Sequence, residues 1–548
     1  MRPRQLTLFL ILLTLSGPLY GYSSPNLPVD DPVYRDIDNL IAAGLVKDVI
    51  YGQRPWSRRE IARMIFVSSE RRKNSPEEEE AKPVWRYVDQ ILARLKEEFH
   101  EELVDSGRLE GERKSSRIHP VEKADFDYTL LDSPFRTVPR DNGLADTDAQ
   151  INPLTAYRGG RHYVDGSTLG LETTHTAKLS KYLSLYARPR LETSVPNTGA
   201  AEVNLLPQNL YAKTAYERFA LQAGRDSLIW GQGEHGGLLL SDNARPLDMI
   251  KLGTDSPLSL PWILKYAGPT GFQIFFAAMG PERNDYPNAI LSGYKLTLKP
   301  VAFFEIAVNH VVMMGGDGAN DPGFWEALGE FTGAKGTFTG NKRQDAFTNR
   351  LFSIEGRWTL PFFRNSVFYA EVGFDDTYST LKVLFEDNAM YLAGIYIPRL
   401  DASGRLDLRM EYKHIPAGAY RHFQYTGGYT LNQRLLGDDL GPDGDGIYGS
   451  GTLDLPQGYR ASCLAGYEIR DSDLWEPVGT VGNMTDIRST VNNPAEHRLR
   501  IQGGLGKTLS SRLGVRGTAG YETVRNFGFL PNDRQDNFLL SLQLMLSP

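Results

Sequence analysis

From about residue 125 to its last residues the chain alternates apolar and polar side chains in segments of about ten residues. In GRLDLRMEYKH (404–414), Leu406, Leu408, Met410 and Tyr412 fall on one side and Arg405, Asp407, Arg409, Glu411 and Lys413 on the other. Successive side chains of a strand point to opposite faces, so this is the pattern of a strand with one dry and one wet side. HRLRIQGGLGK (497–507) sets Leu499, Ile501 and Leu505 against Arg498, Arg500 and Gln502. RLGVRGTAGYE (512–522) sets Leu513, Val515, Ala519 and Tyr521 against Arg512, Arg516, Thr518 and Glu522, and YLSLYARPRLE (182–192) and LFSIEGRWTL (351–360) behave likewise. These segments are longer than the five or six residues common in soluble sheets. Polar turns with Gly and Pro separate them, which suits strands that show apolar residues to lipid and polar ones to a lumen. The sequence therefore predicts a mainly β fold, a transmembrane antiparallel β-barrel of about 18 strands over residues 121–548. DNFLLSLQLMLSP (536–548) would close it, with Phe538, Leu540, Leu542, Leu544 and Leu546 outward.

Ahead of the barrel the period is helical, and residues 24–120 are expected to form a small helical domain at the barrel's periplasmic mouth. Asp31-Pro32 offers a cap and a proline at the first helical position. Ile37, Leu40 and Ile41 then make a stripe that stops at Gly44. Ser57-Arg58-Arg59-Glu60 has the spacing of a capping box, and Ser75-Pro76-Glu77-Glu78 repeats it. The helix after the second box carries Val84, Val88, Ile91, Leu92, Leu95, Phe99 and Leu103 on one face. Residues 1–23 read as a signal peptide, with Arg2 and Arg4 before an apolar run from Leu6 to Leu15 and small residues after it. No later stretch has the roughly 20 apolar residues that a membrane helix needs. The expected location is thus the outer membrane of a Gram-negative cell, with helices 24–120 in the periplasm.

Composition removes several function classes. A net charge of −7 gives no nucleic-acid footprint, and the single Cys463 excludes an internal disulfide, a cysteine zinc cluster and a redox pair. H-E-x-x-H, G-x-S-x-G and Cys/His nucleophile patterns are missing, so neither catalysis nor a cofactor is expected. Asp443 and Asp445 in GPDGDGIYG (441–449) sit two apart as in a calcium loop. The first and twelfth positions would be Gly441 and Thr452, however, so an Asp-Gly turn is favoured over a metal site. The lumen-side arginines alternate with carboxylates such as Glu192, Glu355, Asp407, Glu411 and Glu522, and should pair with them across strands.

One segment departs from simple alternation. WGQGEHGGLLLSDNARPLDMIKL (230–252) joins Gly231, Gly233, Gly236 and Gly237 to three leucines and then to Ser-Asp-Asn-Ala-Arg-Pro. The glycines allow positive φ and close backbone approach. No phosphate-loop spacing surrounds them. Leu238–Leu240 are expected against lipid or the barrel wall, and Ser241–Arg245 in water.

The stretch GRDSLIWGQGEHGGLLLSDNARPLDMIKL (224–252) resembles the signature of the Wzi capsule-assembly family of outer-membrane barrels. LLGDDLGPDGDGIY (435–448) is similar to that family's late Gly-Pro-Asp loop, and the order of leader, helical segment and barrel also matches. The resemblance implies a lectin-like outer-membrane protein that holds capsular or extracellular polysaccharide, with surrounding lipid as its other partner. Trp230, His235, Asp242, Asn243 and Arg245 are the candidate polysaccharide-binding residues: an aromatic platform with groups that bond to hydroxyls and uronate carboxylates. Asp242, Asn243 and Arg245 are expected to be the most sensitive. Residues 34–46 and 54–65 also resemble one S-layer homology repeat, a module that grips cell wall. That supports a second reading, an outer-membrane porin tethered to the wall.

Overall fold

The computed structural model describes residues 22–547 apart from 75–82, 134, 320–321, 334–347, 376–382, 481–482 and 511. Residues 1–21 of the expected leader 1–23, and the second capping box, lie outside the described residues. Among the described residues four α-helices precede the sheet: α1 (Val33–Ala42), α2 (Arg58–Lys73), α3 (Pro83–Glu98) and α4 (His100–Asp105). The Asp31 carboxylate accepts the amide of Val33 at 3.0 Å, so the first helix starts where the Asp-Pro pair sets it. Half of the first capping box forms. Ser57 Oγ accepts the Glu60 amide at 3.1 Å, but the Glu60 carboxylate turns to Arg63, at 2.7 and 2.8 Å. The apolar stripes of α1, α2 and α3 meet in one cluster that holds Ile37, Leu40, Ile61, Ile65, Val88, Ile91 and Leu95.

The rest of the chain closes into an antiparallel barrel of 18 strands. In chain order they are β1 (Arg117–Asp132), β2 (Gly166–Lys178), β3 (Leu183–Pro196), β4 (Glu202–Tyr216), β5 (Phe219–Asp226), β6 (Leu247–Thr254), β7 (Pro269–Ala278), β8 (Ile290–Val301) and β9 (Phe304–Met314). Then follow β10 (Thr348–Leu360), β11 (Ser366–Asp375), β12 (Ala389–Ile397), β13 (Leu406–Ile415), β14 (Gly444–Asp454), β15 (Tyr459–Arg470), β16 (Glu496–Ser510), β17 (Leu513–Arg525) and β18 (Arg534–Leu546). Each strand pairs with the next, and β18 pairs with β1, where Tyr128 lies opposite Leu542. Closure leaves no free edge, which a lipid environment requires. The alternation is as expected: Phe538, Leu540, Leu542 and Leu544 stand outward on β18, and Met410 and Tyr412 stand outward on β13. Asp407, Arg409, Glu411 and Lys413 of β13 are buried inside.

The lumen side chains form the ion-pair ladder that the alternating charges imply. Arg190 reaches Asp127 at 2.5 Å and Glu192 at 2.8 Å, Lys213 reaches Asp255 at 2.6 Å, and Arg498 reaches Glu496 at 2.6 Å. Most connections at one end of the barrel are short, such as 217–218, 302–303 and 511–512. At the other end they are long, among them 133–165, 227–246 and 416–443.

The helices pack at the short-turn mouth. Arg35 of α1 bonds to Asp407 and Asp454 at the ends of β13 and β14, and Asn365 in the turn before β11 donates to the Ala42 carbonyl at 2.8 Å. The chain between α1 and α2 then enters the lumen, where the amides of Tyr51 and Gly52 donate to Glu305 of β9. From the opposite mouth the connection 227–246 descends to meet it. The short strand Gln53–Arg54 pairs antiparallel with Ile229–Trp230, which joins the two segments inside the barrel.

Candidate functional site

The descending segment is held by a row of lumen carboxylates. Gln232 Nε2 donates to Glu305 at 2.9 Å and to Glu355 at 3.2 Å, the Glu234 amide to Glu411 at 2.8 Å, and the Leu238 amide to Glu371 at 3.1 Å. Arg54 Nη2, from the segment below, donates to the Gly233 carbonyl at 2.8 Å. The fold of the segment depends on its glycines. Gly231 has φ of 116°, and a Cβ there would collide with the backbone of Gly237. A Cβ on Gly237 would in turn strike the carboxylate of Glu371.

Leu238, Leu239 and Leu240 are fully buried, and of the two expected places they take the barrel wall, not lipid: they pack on its inner side with Val311, Leu351, Val367 and Met390. They form a core within the barrel with Tyr420, Tyr425, Tyr429, Leu431 and Leu435 from the connection 416–443. Tyr420 donates its hydroxyl to the Leu238 carbonyl at 2.6 Å, and Tyr429 donates to that of Leu239 at 3.0 Å. Each leucine buried this way stabilises the closed arrangement by about 1.5–3 kcal/mol.

The five candidate residues share this segment but not one surface. Trp230 is only 1% exposed; its Nε1 donates to Gln273 at 2.7 Å and its ring packs edge-on against Phe275. With no free ring face it is a structural anchor, neither a platform nor part of a membrane belt. His235 is half-buried and stacks on Tyr157 at 4.4 Å with the planes 5° apart, and burial holds its pKa below the ordinary histidine value. Asn243 is buried, and its Nδ2 donates to the Leu435 carbonyl at 3.1 Å, so it ties the two connections together. Its expected emergence into water is corrected. Arg245 is half-buried and bonds to Asp248 at 3.0 Å, while Asp248 also takes Arg225 at 2.6 Å.

Asp242 is half-buried and lines a cavity with Asp30, Arg161, Arg188, Tyr186 and Gln208. Burial first, and then the nearby Asp30 carboxylate, push its pKa up to about 8. At about 20 Å³ the cavity has room for roughly one water, far short of a sugar ring. The carboxylates of Asp443 and Asp445 are engaged apart from one another. Asp443 accepts Trp475 Nε1 at 3.3 Å, and Asp445 pairs with His414 at 3.1 Å and Tyr412 at 2.7 Å.

Over the filled lumen the long connections form a cap. Val138 and Ala149 bond backbone to backbone, as do Gln150 and Gln433, and Asp146 and His422. The cap surface carries a group that the sequence did not single out. Phe423 is 61% exposed, with its ring stacked on His422 at 4.6 Å. His422 is itself fixed because its Nδ1 accepts the amides of Gln424 and Tyr425, both at 3.1 Å. Nearby, exposed Asn284 donates to Asp148 at 3.0 Å, and Arg283 pairs with Asp285 and holds the carbonyls of Gly428 and Thr430. An exposed aromatic was the available signal, but Phe423 sits in a segment without alternation or repeat.

A closed barrel with an apolar outer belt and a lumen filled from both ends defines a plugged outer-membrane β-barrel. The particular family follows from the sequence: the profile described as "Capsule assembly protein Wzi" matches residues 140–538, and the chain belongs to that family. Among solved structures it is similar to Wzi of Escherichia coli, at 16% identity and a TM-score of 0.66, over 96% of this chain and 100% of that one. That protein is described as an outer-membrane protein involved in group 1 capsule assembly and a carbohydrate-binding β-barrel. Further matches are to OprD of Pseudomonas aeruginosa (10% identity, TM-score 0.41, covering 79% and 95%) and to a loop-deleted OmpT of Vibrio cholerae (11%, 0.29, covering 79% and 100%). No curated protein sequence matches the chain.

Proposed function

We propose that this protein holds capsular or related extracellular polysaccharide at the cell surface, that it does so on the cap, and that it performs no catalysis. The observation that carries the reading is the pairing of Gln53–Arg54 with Ile229–Trp230 inside the barrel. A lumen occupied by paired backbone offers no path for a solute, so what the barrel presents to the outside is its capped surface. Family membership points to capsule assembly, and the likeness to a carbohydrate-binding barrel of the same fold agrees with it. On the cap, the flat face of Phe423 suits the apolar C–H face of a pyranose, and Asn284 offers an amide to its hydroxyls. Outer-membrane barrels keep their short turns on the periplasmic side, which supports a periplasmic place for the helices 33–105. The stretch resembling an S-layer homology repeat is occupied with the barrel and its plug through Arg35 and Arg54, which argues against its gripping cell wall.

The test is a deletion strain complemented with the wild type or with Phe423→Ala. The wild type should restore cell-associated polymer, and the variant should insert normally but release polymer into the medium. A deletion strain that keeps all its cell-associated polymer yet loses uptake of a small solute would replace this reading with the porin. Planar-bilayer recordings should show no steady conductance for the intact protein.

A further inference from the structure

Between β9 and β10 the described residues 322–333 lie on the outside of the barrel. They form a short helix, α5 (Phe324–Phe331), which lies against the outside of the barrel near the long-connection end. Phe331 stacks on outward-facing Phe276 of β7 at 5.4 Å and meets Tyr294 of β8 edge-on at 5.5 Å. Buried Glu330 accepts Thr348 Oγ1 at 3.2 Å and pairs with Arg350 at 3.3 Å, both at the start of β10. The helix also covers His310 of β9, whose ring lies 5.3 Å from Tyr294. It therefore shields polar groups that would otherwise stand on the lipid-facing wall.

The side of α5 turned away from Glu330 is apolar and bare. Phe324 is 63% exposed and Trp325 77% exposed, with Leu328 beside them on the same face. Under the C-terminal end of the helix, the wall between β7 and β8 is hollowed into a groove of about 360 Å³. It is lined by Phe272, Gln273, Ile274, Tyr294, Lys295 and Leu296 and roofed by Phe331 and Thr332; the polar ends of Gln273 and Lys295 are engaged inside the barrel by Trp230 and Glu355. On the two strands Phe272 lies opposite Leu296 and Ile274 opposite Tyr294, so the groove descends from the helix along the wall. It is continuous with the outward apolar belt, where Phe276 and Leu296 are exposed.

We propose that α5 is an interfacial helix lying at the headgroup level, and that the groove below it holds one acyl chain of an outer-leaflet membrane lipid. A helix with an apolar face rich in Phe and Trp seats about 5–10 Å into the boundary between headgroups and chains. A chain dropping from that level along the strands meets the groove directly, and only an apolar chain matches its lining. The occupant is a lipid because the groove opens onto the belt that the barrel already turns to the bilayer. The site is on the wall, not the cap, so it stands or falls independently of polysaccharide binding.

The test uses the full-length protein in vesicles of phosphatidylcholine whose chains carry bromine, a short-range quencher of Trp emission. The emission of Trp325, taken as the difference between wild type and Trp325→Phe, should be quenched, about twofold more by bromine near the carbonyl than by bromine near the chain end. Native mass spectrometry of the detergent-extracted protein should show one retained phosphatidylcholine, with occupancy reduced about tenfold in Leu296→Trp, which fills the groove, and in Phe331→Asp, which unseats the roof. Leu296→Trp keeps an apolar residue facing lipid, so its heat-modifiable migration on gels should be unchanged. Quenching of Trp325 by aqueous iodide and not by bromolipid, or equal lipid retention in all variants, would overturn the proposal.

Discussion

Gln53 and Trp230 lie opposite one another in an antiparallel pair inside the barrel, although 177 positions separate them in the chain. One arrives from the short-turn mouth and the other from the capped mouth, and beside them the Gly231 amide donates to the Gly52 carbonyl at 3.2 Å. The barrel is thus closed by contact between its own two ends.

That register can be checked covalently. Arg54 is opposite Ile229, and antiparallel partners have Cα separations that a disulfide can span. In a Cys463→Ser background, the pair Arg54→Cys and Ile229→Cys should oxidise on the intact protein and change migration on a non-reducing gel. Failure to cross-link while the protein remains folded would show that the two segments are not paired in this register.

The ion pair between Lys295 and Glu355, at 2.6 Å and wholly buried, should behave as a buried pair does. Lys295→Met leaves a buried carboxylate without its cation and should cost about 3–5 kcal/mol. Adding Glu355→Leu should recover most of that loss, because a matched apolar pair needs no desolvated charge. Urea midpoints of the three proteins in detergent decide it; a double variant as weak as the single one would contradict the argument.

Asp242 sets a pH dependence with a definite sign. Its folded pKa of about 8 is well above that of an unfolded aspartate, near 4, so the folded state holds a proton that the unfolded state gives up. Its contribution to stability is therefore full below about pH 4 and is lost as pH rises towards 8. Asp242→Asn should exceed the wild type's thermal midpoint by a margin that is smallest at pH 5, grows up to about pH 8 and is constant above it. Melting curves between pH 5 and 9 read this directly, and parallel pH profiles would refute the assignment.

Asn243 and Arg245 should separate from one another. Asn243→Ala removes a buried bond between the connections 227–246 and 416–443 and should cost about 1–3 kcal/mol. Arg245→Ala loses a half-exposed ion pair worth about 0–1 kcal/mol. Midpoints of heat-modifiable migration should fall in that order, and a larger loss for Arg245 would reverse their roles.

The barrel was legible because alternation is local: in 404–414 the residues alone say which side chains face lipid and which face the lumen. The first two helices were legible for the same reason, through Asp31 and Ser57 at their starts. Leu238–Leu240 and Trp230 were not. An apolar triplet or a tryptophan does not say which dry environment it occupies. That was decided by Tyr420, Tyr429 and Gln273, residues that only the folded chain brings near. Asn243 fails as a surface residue on the same grounds, since its partner is a carbonyl 192 positions away. The helix α5 was missed because its eight residues fall within a connection with no capping side chain to announce it.

Glu305 accepts the amides of Tyr51 and Gly52 from one plug segment and Gln232 from the other. A single carboxylate is therefore the common keeper of two doors. Withdrawing either segment also breaks the backbone pairing of Gln53–Arg54 with Ile229–Trp230 and leaves the other's buried peptide groups without partners, so the inward and outward mouths are coupled and should open together or not at all. Removing the N-terminal helices would not simply uncap the periplasmic mouth; it would loosen the cap on the far side of the membrane as well.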